Sequence, residues 1–177
     1  EVDLAEPYFW RANMGEFRSR ISSIEAAEVT PELIALMADR PDRICPHLHI
    51  SMQSGSDTVL TRMRRRWPAA QFVERCLEVR DALDRPGLTT DVIVGFPGET
   101  DEEFAATCRA VEEVGFSKLH IFPFSPREGT PAAHMPAQVS AGIKHRRSTE
   151  LVALGQRLRQ AYFESLAGGA LQVLVET

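Results

Sequence analysis

The chain has 177 residues, 44% of them apolar, and a formal net charge of −5. That length supports one domain with a real core, and the acidic balance argues against a surface given over wholly to nucleic acid. No run approaches a membrane span and the acidic opening EVDLAEPYFW is unlike a signal peptide, so the expected setting is the cytoplasm without a membrane partner.

Residues 1–16 hold Tyr8, Phe9 and Trp10 in no clear period and stay unassigned. From residue 17 an apolar, β-rich segment followed by a helical pattern recurs four times. The first segment is FRSRISSIE, 17–25; Thr30 then caps a helix with Pro31 at its first position and Leu33, Ile34, Leu36 and Met37 on its apolar face. The second is HLHISM, 47–52, closed by Gln53-Ser54-Gly55-Ser56, with a short helix over 57–63. A longer helix follows Pro68, carrying Phe72, Val73, Cys76, Leu77, Val79 and Leu83.

The third segment, 88–94, runs into Gly95-Phe96-Pro97-Gly98-Glu99, and Thr100-Asp101-Glu102-Glu103 is a capping box for a helix from 101 that Gly115 ends. The fourth is SKLHIFPFS, 117–125; a loop, PREGTPAAHMP, precedes a helix expected over 140–166, which Gly168-Gly169 break. The terminal ALQVLVE has strand composition. Such alternation predicts a parallel α/β sheet with covering helices, and functional residues in such folds gather at the C-terminal ends of the strands. All four of those ends are polar or glycine-rich.

Each candidate carries two readings. The GFPGE turn is either a strand–turn–helix corner or a ligand-facing turn; it lacks the Gly-Lys-Ser/Thr ending of a phosphate loop. Asp91 and Glu99 have the chemistry to hold ribose hydroxyls, and Gln53 and Ser54 that to read a ribose, amide or base edge. His47 and His49, two apart on one strand face, read as hydrogen-bonded structural residues rather than metal ligands. Arg127, between a proline and a glutamate in a long loop, suits a carboxylate or phosphate, or is a surface turn.

Two basic clusters, Arg62/Arg64/Arg65/Arg66 and Lys144/His145/Arg146/Arg147, are either solvated helix faces or an RNA-facing surface. Cys45, Cys76 and Cys108 form neither a disulfide framework nor a metal-ligand spacing, so no metal ligands are expected here.

Taken together, RICPHLHISMQSGSDTVLTRMRRR, TTDVIVGFPGETDEEF and LHIFPFSPREGTPAAHM resemble the radical S-adenosylmethionine methylthiotransferases, the MiaB-like tRNA-modifying enzymes. CPHLHI before QSGSD, and SPREGTPAA later, are similar to the branch acting on threonylcarbamoyl-adenosine. The resemblance implies a partial (β/α)6 barrel, here its C-terminal part over 17–168, with 169–177 opening an RNA-binding β-barrel of the TRAM type. It implies S-adenosylmethionine and a 4Fe-4S cluster as cofactors, and tRNA and an electron donor as partners. Reductive cleavage would yield a 5′-deoxyadenosyl radical that activates an adenine carbon for sulfur insertion.

Carried over by position, Ser22, Ser23, Glu25, Gln53, Ser54, Asp91, Gly95, Glu99 and Arg127 fall on the cofactor side. Arg62, Arg64, Arg65, Arg66, Lys144, Arg146 and Arg147 are then available to tRNA phosphates. The cluster motif CxxxCxxC is absent from this chain, whose own cysteines are wrongly spaced to replace it, so the chain alone is expected to be inactive. Alternatives are another methylthiotransferase of the superfamily (isopentenyladenosine tRNA or ribosomal protein) and a non-catalytic nucleotide- or RNA-binding remnant.

Overall fold

A computed structural model describes residues 18–170; the unassigned opening and the strand-like ALQVLVE terminus lie almost wholly outside that range. Four parallel strands form one sheet in chain order: β1 (Ser23–Ile24), β2 (His47–Ile50), β3 (Gly87–Val94) and β4 (Lys118–Pro123). Helices return the chain between them: α1 (Pro31–Asp39) after β1, α2 (Asp57–Arg62) and α3 (Ala69–Ala82) after β2, α4 (Asp101–Val114) after β3, and α5 (Ala141–Leu166) after β4. This is the expected parallel α/β architecture.

The element ends follow local chemistry. The Thr30, Ser56, Thr100 and Ser140 hydroxyls each accept a hydrogen bond from the third residue of their helix. At α4 the box is complete, with the Glu103 carboxylate accepting from Thr100 N at 2.9 Å, and Gly115 at φ 69° ends the helix in the left-handed conformation.

The first strand is shorter than its sequence suggests. Only Ser23 and Ile24 pair fully, Ser19 meets Ile44 in a lone bridge, and a 3₁₀ turn (Ala26–Glu28) starts at once, fixed by the reciprocal Glu25–Glu28 cap. Among the described residues β1 has a neighbour on one side alone, so fewer ladder bonds oppose the turn.

Alternation in the strands divides the sheet into two faces. Leu48, Ile50, Leu88, Val92 and Val94, all at most 2% exposed, point to the helices. Phe72, Cys76 and Val79 of α3, Val111 and Val114 of α4, and Leu151 of α5 close over them. Cys76 therefore sits in apolar surroundings, and burial pushes its thiol up to about 12. Leu119 of β4 meets α5 where Gly155 leaves room for it.

Register places the other residues of the strands on the opposite face. His49 stands beside Thr89, Asp91 beside His120, and Ile93 beside Phe122.

Candidate functional site

The C-terminal ends of the strands form a polar rim, as anticipated, but its members divide into ligand-accessible and self-satisfied groups. Gln53 follows β2 with φ 67°, a conformation uncommon outside glycine. Its backbone is fixed on both sides by β3: Gln53 N donates to Asp91 O and Ile93 N donates to Gln53 O, both at 2.9 Å. Gln53 lines a rim cavity of about 290 Å³ together with Arg62, Arg64, Ile93, Phe96 and Thr130. Arg64 is itself at φ 59°, so two strained residues border one cavity, the setting in which strain accompanies function.

A second rim cavity of about 300 Å³ shares Arg64 and Arg65 with the first and is lined by Glu25, Ser51 and Trp67. The Trp67 indole N–H is buried without a hydrogen-bond partner among the described residues. Arg65 bonds Glu25 at 2.6 Å across the cavity. A larger cleft of about 720 Å³ lies between α3 and α4, near Gly55, Glu74 and Glu113 and away from these strand ends.

Several of the residues expected on the cofactor side are buried and bonded within the protein. Ser54 is fully buried; its hydroxyl pairs with Thr107 Oγ1 at 3.2 Å and accepts from Ser56 N, stitching the strand end to α4. Glu99 is 5% exposed, and its Oε2 accepts from Gly95 N at 2.6 Å and from Arg147 Nη1 at 2.7 Å. Burial raises the Glu99 pKa, against the lowering effects of the Gly95 N–H and the Arg147 charge.

Gly95 has φ 72°, and a Cβ there would overlap Lys144 Cγ. Lys144 in turn donates from Nζ to Phe124 O at 2.8 Å. Gly98 N, at the turn's other end, donates to Ala137 O at 2.8 Å. The GFPGE turn is thus closed by the protein's own groups, and of its side chains it is Phe96 that borders a rim cavity.

Ser22, Ser23 and Arg127 are exposed and line neither rim cavity. Asp91 sits within β3 rather than at its end, on the sheet face opposite the helices. The basic clusters divide in the same way. Arg64, Arg65, Arg66 and Arg146 are exposed, the last paired with Asp101 at 3.0 Å. Arg62 bonds Glu103 at 2.7 Å. Arg147 is 3% exposed and cannot face RNA: its guanidinium spans Glu99 and Asp101, because α5 crosses the start of α4 there.

The sheet's other face carries a cluster that the strand patterns alone do not assemble. His49 uses both ring nitrogens, Nδ1 with Thr89 Oγ1 at 2.9 Å and Nε2 with Asp91 Oδ2 at 3.2 Å. Ser51 Oγ donates to the same carboxylate oxygen at 3.5 Å. The His120 ring stands edge-on to His49, centroids 5.5 Å apart and planes at 83°. Burial, then Lys118, lowers the His120 pKa. The expectation of a hydrogen-bonded His49 fits this geometry; His120 was missed, its one sequence signal being its parity with Lys118 and Phe122 in β4.

The fit to cofactors differs between the two that the resemblance implies. The hydroxyl-, amide- and guanidinium-bearing residues that line the rim cavities suit a polar adenosyl ligand. An iron–sulfur cluster does not fit the described residues: no three His, Cys, Asp or Glu side chains converge as ligands, and Cys76 is buried in the core. Among the described residues no helix is long and apolar enough to cross a membrane.

Known proteins bear on this site in three ways. A threonylcarbamoyladenosine tRNA methylthiotransferase of Bacillus subtilis is 47% identical over 162 residues, covering 92% of this chain and 36% of the relative. A tRNA-2-methylthio-N(6)-dimethylallyladenosine synthase of Corynebacterium urealyticum is 42% identical over 159 residues, covering 90% and 29%. The chain thus spans about a third of the length of these curated relatives.

Coproporphyrinogen III oxidase from Escherichia coli, a radical SAM enzyme, superposes with a TM-score of 0.64 over 79% of this chain and 32% of that one. At 19% identity it speaks for the fold alone. Residues 10–111, more than half of the chain, match the radical SAM superfamily, and with the parallel sheet and its polar rim in view, the chain belongs to that superfamily.

Proposed function

We propose that this chain is the C-terminal part of the radical domain of a tRNA methylthiotransferase, acting on threonylcarbamoyl-adenosine beside the anticodon. The observation that carries the reading is the 47% identity, over 92% of the chain, to an enzyme named for that substrate. The dimethylallyladenosine synthases stand at 41–42%.

S-adenosylmethionine, when bound, supplies the radical chemistry; the protein supplies position and exclusion of water. Gln53, its backbone locked to β3, lines the 290 Å³ cavity, and Ile93 gives that cavity an apolar wall. Arg65 and Glu25 close the neighbouring cavity. Arg64, Arg66 and Arg146 meet RNA phosphates in this reading, supported by their exposure, and Ser22, Ser23 and Arg127 are candidate contacts at the rim's edge. The cluster, its cysteines and its electron donor belong outside the described residues, and residues 169–177 begin the RNA-binding module.

Nucleoside analysis of tRNA from a deletion strain tests the reading. Loss of the methylthio group from threonylcarbamoyl-adenosine is expected. Unchanged tRNA overturns the proposal, and loss from isopentenyladenosine instead moves the enzyme to the other branch.

A further inference from the structure

The face of the sheet opposite the helices has a polar centre and an aromatic edge. Leu119 of β4 points to α5, so Lys118, His120 and Phe122 point the other way. Phe122 is 50% exposed, one of few large apolar side chains left so among the described residues. It lies in register with Ile93, which borders the 290 Å³ rim cavity. His120, two residues earlier, has no hydrogen bond to its ring nitrogens among the described residues.

His49 differs: Thr89 and Asp91 use both its nitrogens, and its ring is the fixed surface against which His120 is set edge-on. An anchored histidine beside an uncommitted one is an arrangement for presenting the second. A neutral imidazole offers one donor and one acceptor, which match either a ring nitrogen or an exocyclic amino group. An exposed phenyl ring on the same strand face offers a stacking platform.

We propose that His120 and Phe122 hold the target nucleobase of the RNA, His120 by a hydrogen bond to its edge and Phe122 by stacking on its face. This rests on the methylthiotransferase reading and deepens it by naming the substrate-holding residues. Chemistry on a base requires that base to be taken out of its stack, and an extruded base is held by aromatic stacking and edge contacts. His49, Asp91 and Thr89 are positioning residues that act through His120.

The test uses the full-length protein and two anticodon stem-loop RNAs. They are identical except that the target position carries adenine in one and is abasic in the other. Dissociation constants are read by fluorescence anisotropy. The wild-type protein prefers the adenine RNA. Phe122→Ala weakens adenine-RNA binding by about 5- to 160-fold, the range for one stacked base, and leaves the abasic RNA unchanged. His120→Ala acts in the same direction, whereas Arg66→Ala weakens both RNAs alike.

Phe122→Leu and His120→Gln keep the bulk of the side chains and carry the same expectation for adenine binding, should the alanine variants fail to fold. If the variants weaken both RNAs equally, or neither, the inference is overturned while the proposed function stands. Absence of any wild-type preference also overturns the inference, while the proposed function still rests on the nucleoside analysis. S-adenosylmethionine titrated by calorimetry separates the other source of adenine: variants that lose cofactor binding but keep the RNA preference overturn the inference.

Discussion

Arg147 lies near the start of α5, where its guanidinium is 3% exposed and bonds Glu99 at 2.7 Å and Asp101 at 2.9 Å. Its guanidinium carbon also lies over the Phe104 ring, 5.4 Å from the centroid. Removing one partner of a buried pair strands the other charge. Arg147→Met is therefore expected to cost about 3–5 kcal/mol in urea unfolding, and Arg147→Met with Glu99→Gln to recover part of the loss.

Glu103 gives a pH signature at the same scale. Burial opposes its charge, but Arg62 at 2.7 Å and the Thr100 N–H outweigh burial and lower its pKa. As the pH falls the unfolded chain takes up this proton first, so the stabilisation present above about pH 4.3 is lost below it. Glu103→Gln is expected to lower stability at neutral pH and to flatten its fall in acid, followed by thermal unfolding across pH.

Between elements, close approach is set by glycine. At Gly55 a Cβ would come within 2.7 Å of Ala106 O and of Thr107 Cα, the backbone of α4. Neither can move without shifting the helix, so Gly55→Ala is expected to destabilise by about 1–3 kcal/mol, measured as a lowered Tm. Gly95 combines φ 72° with the overlap at Lys144. Gly95→Ala is expected to loosen the α5 contact as well as strain the turn, and hydrogen exchange at Gly95 and Lys144 would report it.

The helices were largely readable at this scale. Thr30 and Thr100 announce their starts, and α1 and α4 begin where those caps place them. β1 was overestimated because its residues have strand composition, whereas its length depends on neighbours that composition does not reveal.

Across the whole molecule, the three cysteines lie in different surroundings: Cys45 on the β2 approach, Cys76 in the core, and Cys108 on α4 with burial pushing its thiol up to about 11. Iron and sulfide reconstitution of the 177-residue chain is expected to give no thiolate-to-iron absorption band. A band from this chain would show that the free cysteines assemble ligands despite their separation.

Local order in the amino acids decided the parallel α/β class, the positions of the strand ends and the caps, because alternation, capping and glycine act within a few residues. It also supplied the residues of the rim. Tertiary structure decided which of them have atoms to spare. His49 and Thr89 are 40 residues apart, and Arg147 and Glu99 are 48 apart. Their pairing depends on strand register and on where α5 crosses α4. That is why Glu99, Ser54 and Arg147 turn inward, and why His120 emerges beside His49 on the sheet's other face. Burial and partner geometry, which belong to the packed chain, set whether a polar side chain is a strut or a contact.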